Sequence, residues 1–187
     1  MKIIKIIIFL FISLNVSLKT NSNNNNQNIL NESGKLIFIR HAYAPGVGDP
    51  DNFNILDCAS QRNLNDEGIE QSRNIGEFFL EKDIFIDEIL SSEWCRCKET
   101  SQYAFNRYET KFFLNSFFSK KFSHNKSNQI IKLKEYIKKW DGKKNIVFVT
   151  HYVVILEILN IRASSGEIII FNKDYEVLAR VKNRLFQ

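Results

Sequence analysis

Two histidines and two arginines stand where polar residues follow apolar runs. Arg40-His41 follows Lys35-Leu36-Ile37-Phe38-Ile39, Thr150-His151 follows Ile146-Val147-Phe148-Val149, and Arg96 lies four residues beyond Ser91-Ser92. A neutral imidazole can attack phosphorus, and water can later hydrolyse the phosphoramidate so formed. Guanidinium forks match phosphoryl oxygens two at a time and offset their charge. A second imidazole can donate a hydrogen bond to an equatorial oxygen as charge develops on it. Such a set makes a phosphoryl-transfer pocket that needs neither metal nor cofactor.

The elements that would position these residues can be read from the pattern of apolar side chains. The runs before His41 and His151 are short and continuous, as in strands buried on both faces. Ile84 to Leu90 gives another strand, ending at Ser91-Ser92. A further short strand is expected near Lys111 to Leu114, and Ile168-Ile169-Ile170-Phe171 and Glu176 to Val181 close the sheet. Residues 42 to 63 read as a long polar loop, with Pro45-Gly46 and Asp49-Pro50 as turn signals. Asn65 can cap a helix with Asp66 and Glu67 in its first turn. Ile69, Ser72, Ile75 or Gly76, and Phe79 would form that helix's inner face. Helices are also expected from Trp94 to Asn106, along Ile130, Leu133, Ile137 and Trp140 with Gly142 as a stop, and from Tyr152 to Asn160. Strands alternating with helices indicate an α/β three-layer sandwich: a mostly parallel sheet with helices on both faces. Ligands in such sheets bind beyond the carboxyl ends of the strands, where the polar clusters fall.

These segments resemble the motifs of the histidine phosphatase superfamily, the phosphoglycerate mutase-like proteins. Leu36-Ile37-Phe38-Ile39-Arg40-His41-Ala42 is similar to the signature strand and its RH(G/A) motif, and Ser91-Ser92-Glu93-Trp94-Cys95-Arg96-Cys97-Lys98-Glu99-Thr100 to SSxxxRxxxT. Val147-Phe148-Val149-Thr150-His151 resembles the third motif, and Arg62-Asn63-Leu64-Asn65-Asp66-Glu67-Gly68 the (R)xLxxxG segment between the first two. The resemblance covers the chain from Lys35 onward and looks like that of small exported bacterial members. It implies His41 as the phosphorylated nucleophile, Arg40 and Arg96 as phosphoryl ligands and His151 as completing the pocket. The acid that protonates the leaving group departs from the pattern. Ser116 follows Leu114-Asn115 where mutase-type members have Glu, Val47 stands where those members keep an Asn, and Tyr152 follows His151 where acid phosphatases have Asp. Asp49, Asp57 and Glu93 are the substitutes within reach of the motifs. A missing acid favours good leaving groups: aryl phosphates, acyl phosphates or phosphorylated imidazoles. Arg62 reads as a loop organiser before it reads as a phosphate ligand.

The remaining features set the context. The chain has 187 residues and a formal net charge of +5. Its lysines are scattered, the densest group between Lys132 and Lys144 reading as a solvated helix face, and no segment looks like a nucleic-acid-binding motif. Lys2 and Lys5 before Ile6-Ile7-Ile8-Phe9-Leu10-Phe11-Ile12 make residues 1–20 a signal peptide or, if uncleaved, an N-terminal anchor, which gives the one route to a membrane. Residues 21–34, rich in Asn, read as a polar linker before a domain at 35–187. The reading is therefore an exported, periplasmic protein whose partner is a small phosphorylated substrate or a phosphoprotein. In an oxidising compartment Cys58 can bridge either Cys95 or Cys97. The plainer alternatives are a core histidine at 41, a surface arginine at 96, and Trp94 and Trp140 as packing anchors. A protein that binds a phosphorylated ligand without turning it over, or a tethered scaffold, are the rival functions.

Overall fold

The computed structural model describes residues 34–182. The expected leader and, apart from Gly34, the expected linker lie outside the described residues. The two apolar runs become β1 (Leu36–Arg40) and β4 (Ile146–Thr150), paired in parallel with Arg40 opposite Thr150. The other strands are β2 (Glu88–Ser91), β3 (Glu109–Thr110), β5 (Ile168–Phe171) and β6 (Val177–Val181). Among the described residues they form one six-stranded sheet in the order β3-β2-β4-β1-β5-β6. β3, β2, β4 and β1 run parallel, whereas β5 is antiparallel to both of its neighbours.

Alternation along the central strands divides the core in two, because successive side chains point to opposite faces. Leu36, Phe38 and Phe148 face one side, where α3 (Lys126–Lys139) contributes Leu133 and Ile137 and α4 (Tyr152–Leu159) contributes Val154 and Ile155. Ile37, Ile39, Val147 and Val149 face the other, against Ile75 and Phe79 of α1 (Asp66–Glu81) and Cys97 of α2 (Cys95–Phe105). Burying each large aliphatic or Phe side chain contributes about 1.5–3 kcal/mol, so both layers are held to the sheet by its own alternation. The expected three-layer sandwich is the architecture found.

Asn65 caps α1 as expected, its Oδ1 accepting from the backbone of Gly68 at 3.0 Å. The buried face of α1 is turned slightly from the expected one: Gly68 and Gln71 are buried while Ile69 is only partly covered. Close approach sets this. A Cβ at Gly68 would stand 2.0 Å from the carbonyl oxygen of Tyr43, and one at Gly76 2.2 Å from that of Ala104.

Two strand expectations are corrected. The strand expected at Ile84 to Leu90 begins only at Glu88, because its partner β4 starts opposite it at Ile146. Ile84 and Ile86 are still buried, as core side chains on backbone outside the sheet, the Ile84 N–H donating to the Phe79 carbonyl at 2.9 Å. The strand expected at Lys111 to Leu114 is instead Glu109–Thr110, and Phe112–Leu114 forms a 3-10 turn. That turn drives Leu114 beneath the sheet, fully buried, instead of continuing an edge strand. Cys58 bridges Cys95, with their Cα atoms 5.6 Å apart, which ties the long loop to the first turn of α2 and leaves Cys97 as a buried thiol.

Candidate active site

Parallel pairing of β1 with β4 sets their carboxyl ends side by side, and the backbone N–H of His41 donates to the Thr150 carbonyl at 2.9 Å. Both histidines therefore leave the sheet at one edge. Their ring centroids are 5.4 Å apart, and each residue is only 3 % exposed. Arg40, His41, Asp49, Arg62, Trp94, Arg96 and His151 line one cavity of about 190 Å³.

His41 has a defined tautomer. Its Nδ1 lies 2.8 Å from the carbonyl oxygen of Ala42, which can only accept. Nδ1 therefore carries the proton and Nε2 the lone pair. Burial, then the charge of Arg96, pushes the His41 pKa well below the ordinary value; Arg40 and Arg62 act the same way, while the Ala42 bond opposes them. The ring is neutral at pH 7, with its lone pair on Nε2.

His151 is oriented by a chain of hydrogen bonds. Ser92 Oγ donates to Asn115 Oδ1 at 3.0 Å and so receives the His151 Nε2–H at 2.9 Å. His151 Nδ1 then keeps its lone pair, 3.5 Å from Arg96 Nη2. Burial and the Arg96 charge push this pKa well below the usual value too. The Trp94 ring packs against the same ring in a T-shaped arrangement, with centroids 5.4 Å apart.

The arginines are held in different ways. Arg40 Nη1 donates to the Ala163 carbonyl at 2.8 Å, and its guanidinium lies over the Tyr152 ring. Arg96 is 3 % exposed and grips Asp49 with both terminal nitrogens, at 2.6 and 3.2 Å. The Nε atoms of Arg40 and Arg96 are buried and have no hydrogen-bond partner among the described residues, which is seldom the case for the N–H groups of a cation. Arg62 acts as the loop organiser: its Nε donates to the Gly48 carbonyl at 2.7 Å and its Nη1 to that of Ala44.

The three candidate acids separate. Asp49 lines the cavity and also accepts from Trp94 Nε1 at 3.0 Å. Glu93 turns away, accepting from Asn115 Nδ2 and lining a neighbouring cavity. Asp57 is exposed and caps the turn Cys58–Ser60, its Oδ1 accepting from Ala59 N at 3.0 Å, so it is not part of the cavity. Ser92, Asn115 and the Trp94 N–H were not legible as site residues. The SSxxx motif pointed at the first without giving it a role, and only the fold brings Asn115 to it.

No family model matches the sequence, and no curated protein matches it. Solved structures do. A phosphohistidine phosphatase SixA from Agrobacterium tumefaciens, described as putative, superposes with a TM-score of 0.57 at 16% identity, covering 81% of this chain and 99% of that one. Phosphoglycerate mutase from Thermus thermophilus gives 0.54 at 13% identity, over 80% and 99%. A phosphoserine phosphatase mutant from Entamoeba histolytica in complex with phosphoserine gives 0.52 at 16% identity, over 73% and 89%. At these identities the likeness is one of fold. The chain has a phosphoglycerate mutase-like fold.

Proposed function

We propose that the chain hydrolyses phosphomonoesters or phosphoramidates through a phosphohistidine formed on Nε2 of His41. The observation that carries this reading is one cavity lined by Arg40, Arg96 and His151 together with His41, whose free nitrogen is Nε2. A phosphoryl group held there by the arginines meets that lone pair. Nε2 then attacks phosphorus, the bond to the leaving oxygen or nitrogen breaks, and its electron pair departs with that atom. Water next attacks the phosphohistidine, the P–N bond breaks, and the pair returns to Nε2 as phosphate leaves. Arg40 and Arg96 hold the oxygens through both steps, and His151 meets the one that gains charge.

No step uses a metal, so chelation leaves the rate unchanged in this mechanism. The substrate is a small phosphorylated molecule or a phosphorylated side chain projecting from a protein. The Cys58–Cys95 bridge supports export to the periplasm, since such bridges persist in oxidising compartments. The mass of the mature N-terminus tests export and distinguishes a cleaved leader from an anchor.

The decisive experiment is turnover of 4-nitrophenyl phosphate by the full chain against His41→Ala. Steady hydrolysis with an acid-labile phosphoenzyme, both lost in the variant, is the expected result. Stoichiometric phosphate binding with no labelled protein would show instead a ligand-binding protein on this fold.

A further inference from the structure

A poor leaving group needs a proton as its bond to phosphorus breaks. Among the residues lining the cavity Asp49 is the one carboxylate, carried on the turn after the 90 % exposed Val47. Its place is set from three sides. Arg96 holds both oxygens, Trp94 Nε1–H donates to Oδ2, and the backbone N–H of Arg62 donates to Oδ1 at 3.3 Å.

Both terminal nitrogens of Arg96 face Asp49, and the cavity that the two residues line also holds His41 and His151. We infer that Asp49 is the proton donor to the leaving oxygen, loaded with its proton by the phosphoryl group that enters the cavity beside Arg96. This rests on the phosphatase reading.

One cation, Arg96, is here divided between two anions. Without substrate, burial disfavours the charged carboxylate, but the hydrogen bonds and charge of Arg96, helped by Trp94 and Arg62, outweigh it and hold the Asp49 pKa below the usual range. Asp49 is then ionised and cannot donate. A phosphoryl dianion on the same guanidinium draws on the charge that stabilised the carboxylate and adds its own charge beside it. Two anions a few ångströms apart raise each other's proton affinity, so one proton is taken up by the pair. His41, His151, Arg40 and Arg62 also face this space and set the field in which the pair titrates. As His41 Nε2 attacks, the P–O bond breaks and the Asp49 O–H passes its proton to the departing oxygen. In the second step the carboxylate takes a proton from the attacking water, which restores the starting state.

The test uses the full chain and two kinds of ester. Asp49→Asn is expected to lower turnover of an alkyl phosphate by about 10²–10⁴, the usual contribution of a general acid, and that of 4-nitrophenyl phosphate far less. Asp49→Glu, which keeps a carboxyl, is expected to recover part of the alkyl activity. Wild-type rates across a series of substituted phenyl phosphates give a second reading that needs no variant: a shallow dependence on leaving-group pKa is expected. A steep wild-type dependence, or an equal loss on both esters in an Asp49→Asn chain that still labels His41, overturns the role and leaves the phosphatase reading standing. Absence of any phosphoenzyme in the wild-type chain overturns both.

Discussion

In the proposed mechanism Nε2 of His41 needs no base, because the Ala42 carbonyl fixes the proton on Nδ1 and burial beside Arg96 keeps the ring neutral. His151 is the complementary case. Its Nε2–H is committed to Ser92, which leaves an unprotonated Nδ1 near Arg96. In the proposed mechanism an anion bound between the arginines raises the proton affinity of His151, and its Nδ1 becomes the donor that an equatorial oxygen requires. Phosphate binding near pH 7 is therefore expected to take up protons. Calorimetry in two buffers of different ionisation enthalpy measures this, and no uptake in either would remove His151 as an acquired donor; repeating it with Asp49→Asn isolates the share of His151. The residues on which this depends were unevenly visible in the sequence. His41, Arg40 and His151 announce themselves because their positions follow strands. Arg96 needed its motif. Ser92–Asn115 and Asp49–Trp94 join residues 23 and 45 positions apart, and only folding decides such pairs.

The helices hold this geometry by approaching closely. Gly76 brings α1 against the backbone of Ala104 in α2, the helix that carries Arg96. A methyl group there must displace that backbone, and overpacking of this kind costs about 1–3 kcal/mol. Gly76→Ala is expected to lower the midpoint of thermal unfolding, and an unchanged midpoint would show that the helices part freely. β1 and β4 were legible because strands buried on both faces are written as unbroken apolar runs. The ends of β2 and β3 were not. β2 starts where β4 offers a partner, a fact about another segment, and Phe112-Phe113-Leu114 has the residue types of a strand but folds as a turn that buries Leu114. Pairing of Cys58 with Cys95 over Cys97 was equally closed to sequence, since Cys95 and Cys97 are two residues apart and helix geometry turns them to different neighbours.

For the molecule as a whole, two buried neutral imidazoles tie stability to acidity. Both have folded-state pKa values below the unfolded value of about 6.5. The unfolded chain therefore binds more protons as pH falls through and below about 6.5, and the stability present above that value is progressively lost. Thermal unfolding between pH 8 and pH 5 measures this; a midpoint that does not fall on the acid side would show that the rings charge without cost. The same cavity sets three guanidinium groups against one carboxylate. A positive potential focused by low-dielectric walls raises the rate at which dianions arrive, most strongly in dilute salt. It does not distinguish the ester that enters from the inorganic phosphate that must leave. In the proposed mechanism, the clamp that makes capture fast also delays departure, and product occupancy becomes a natural brake on the cycle.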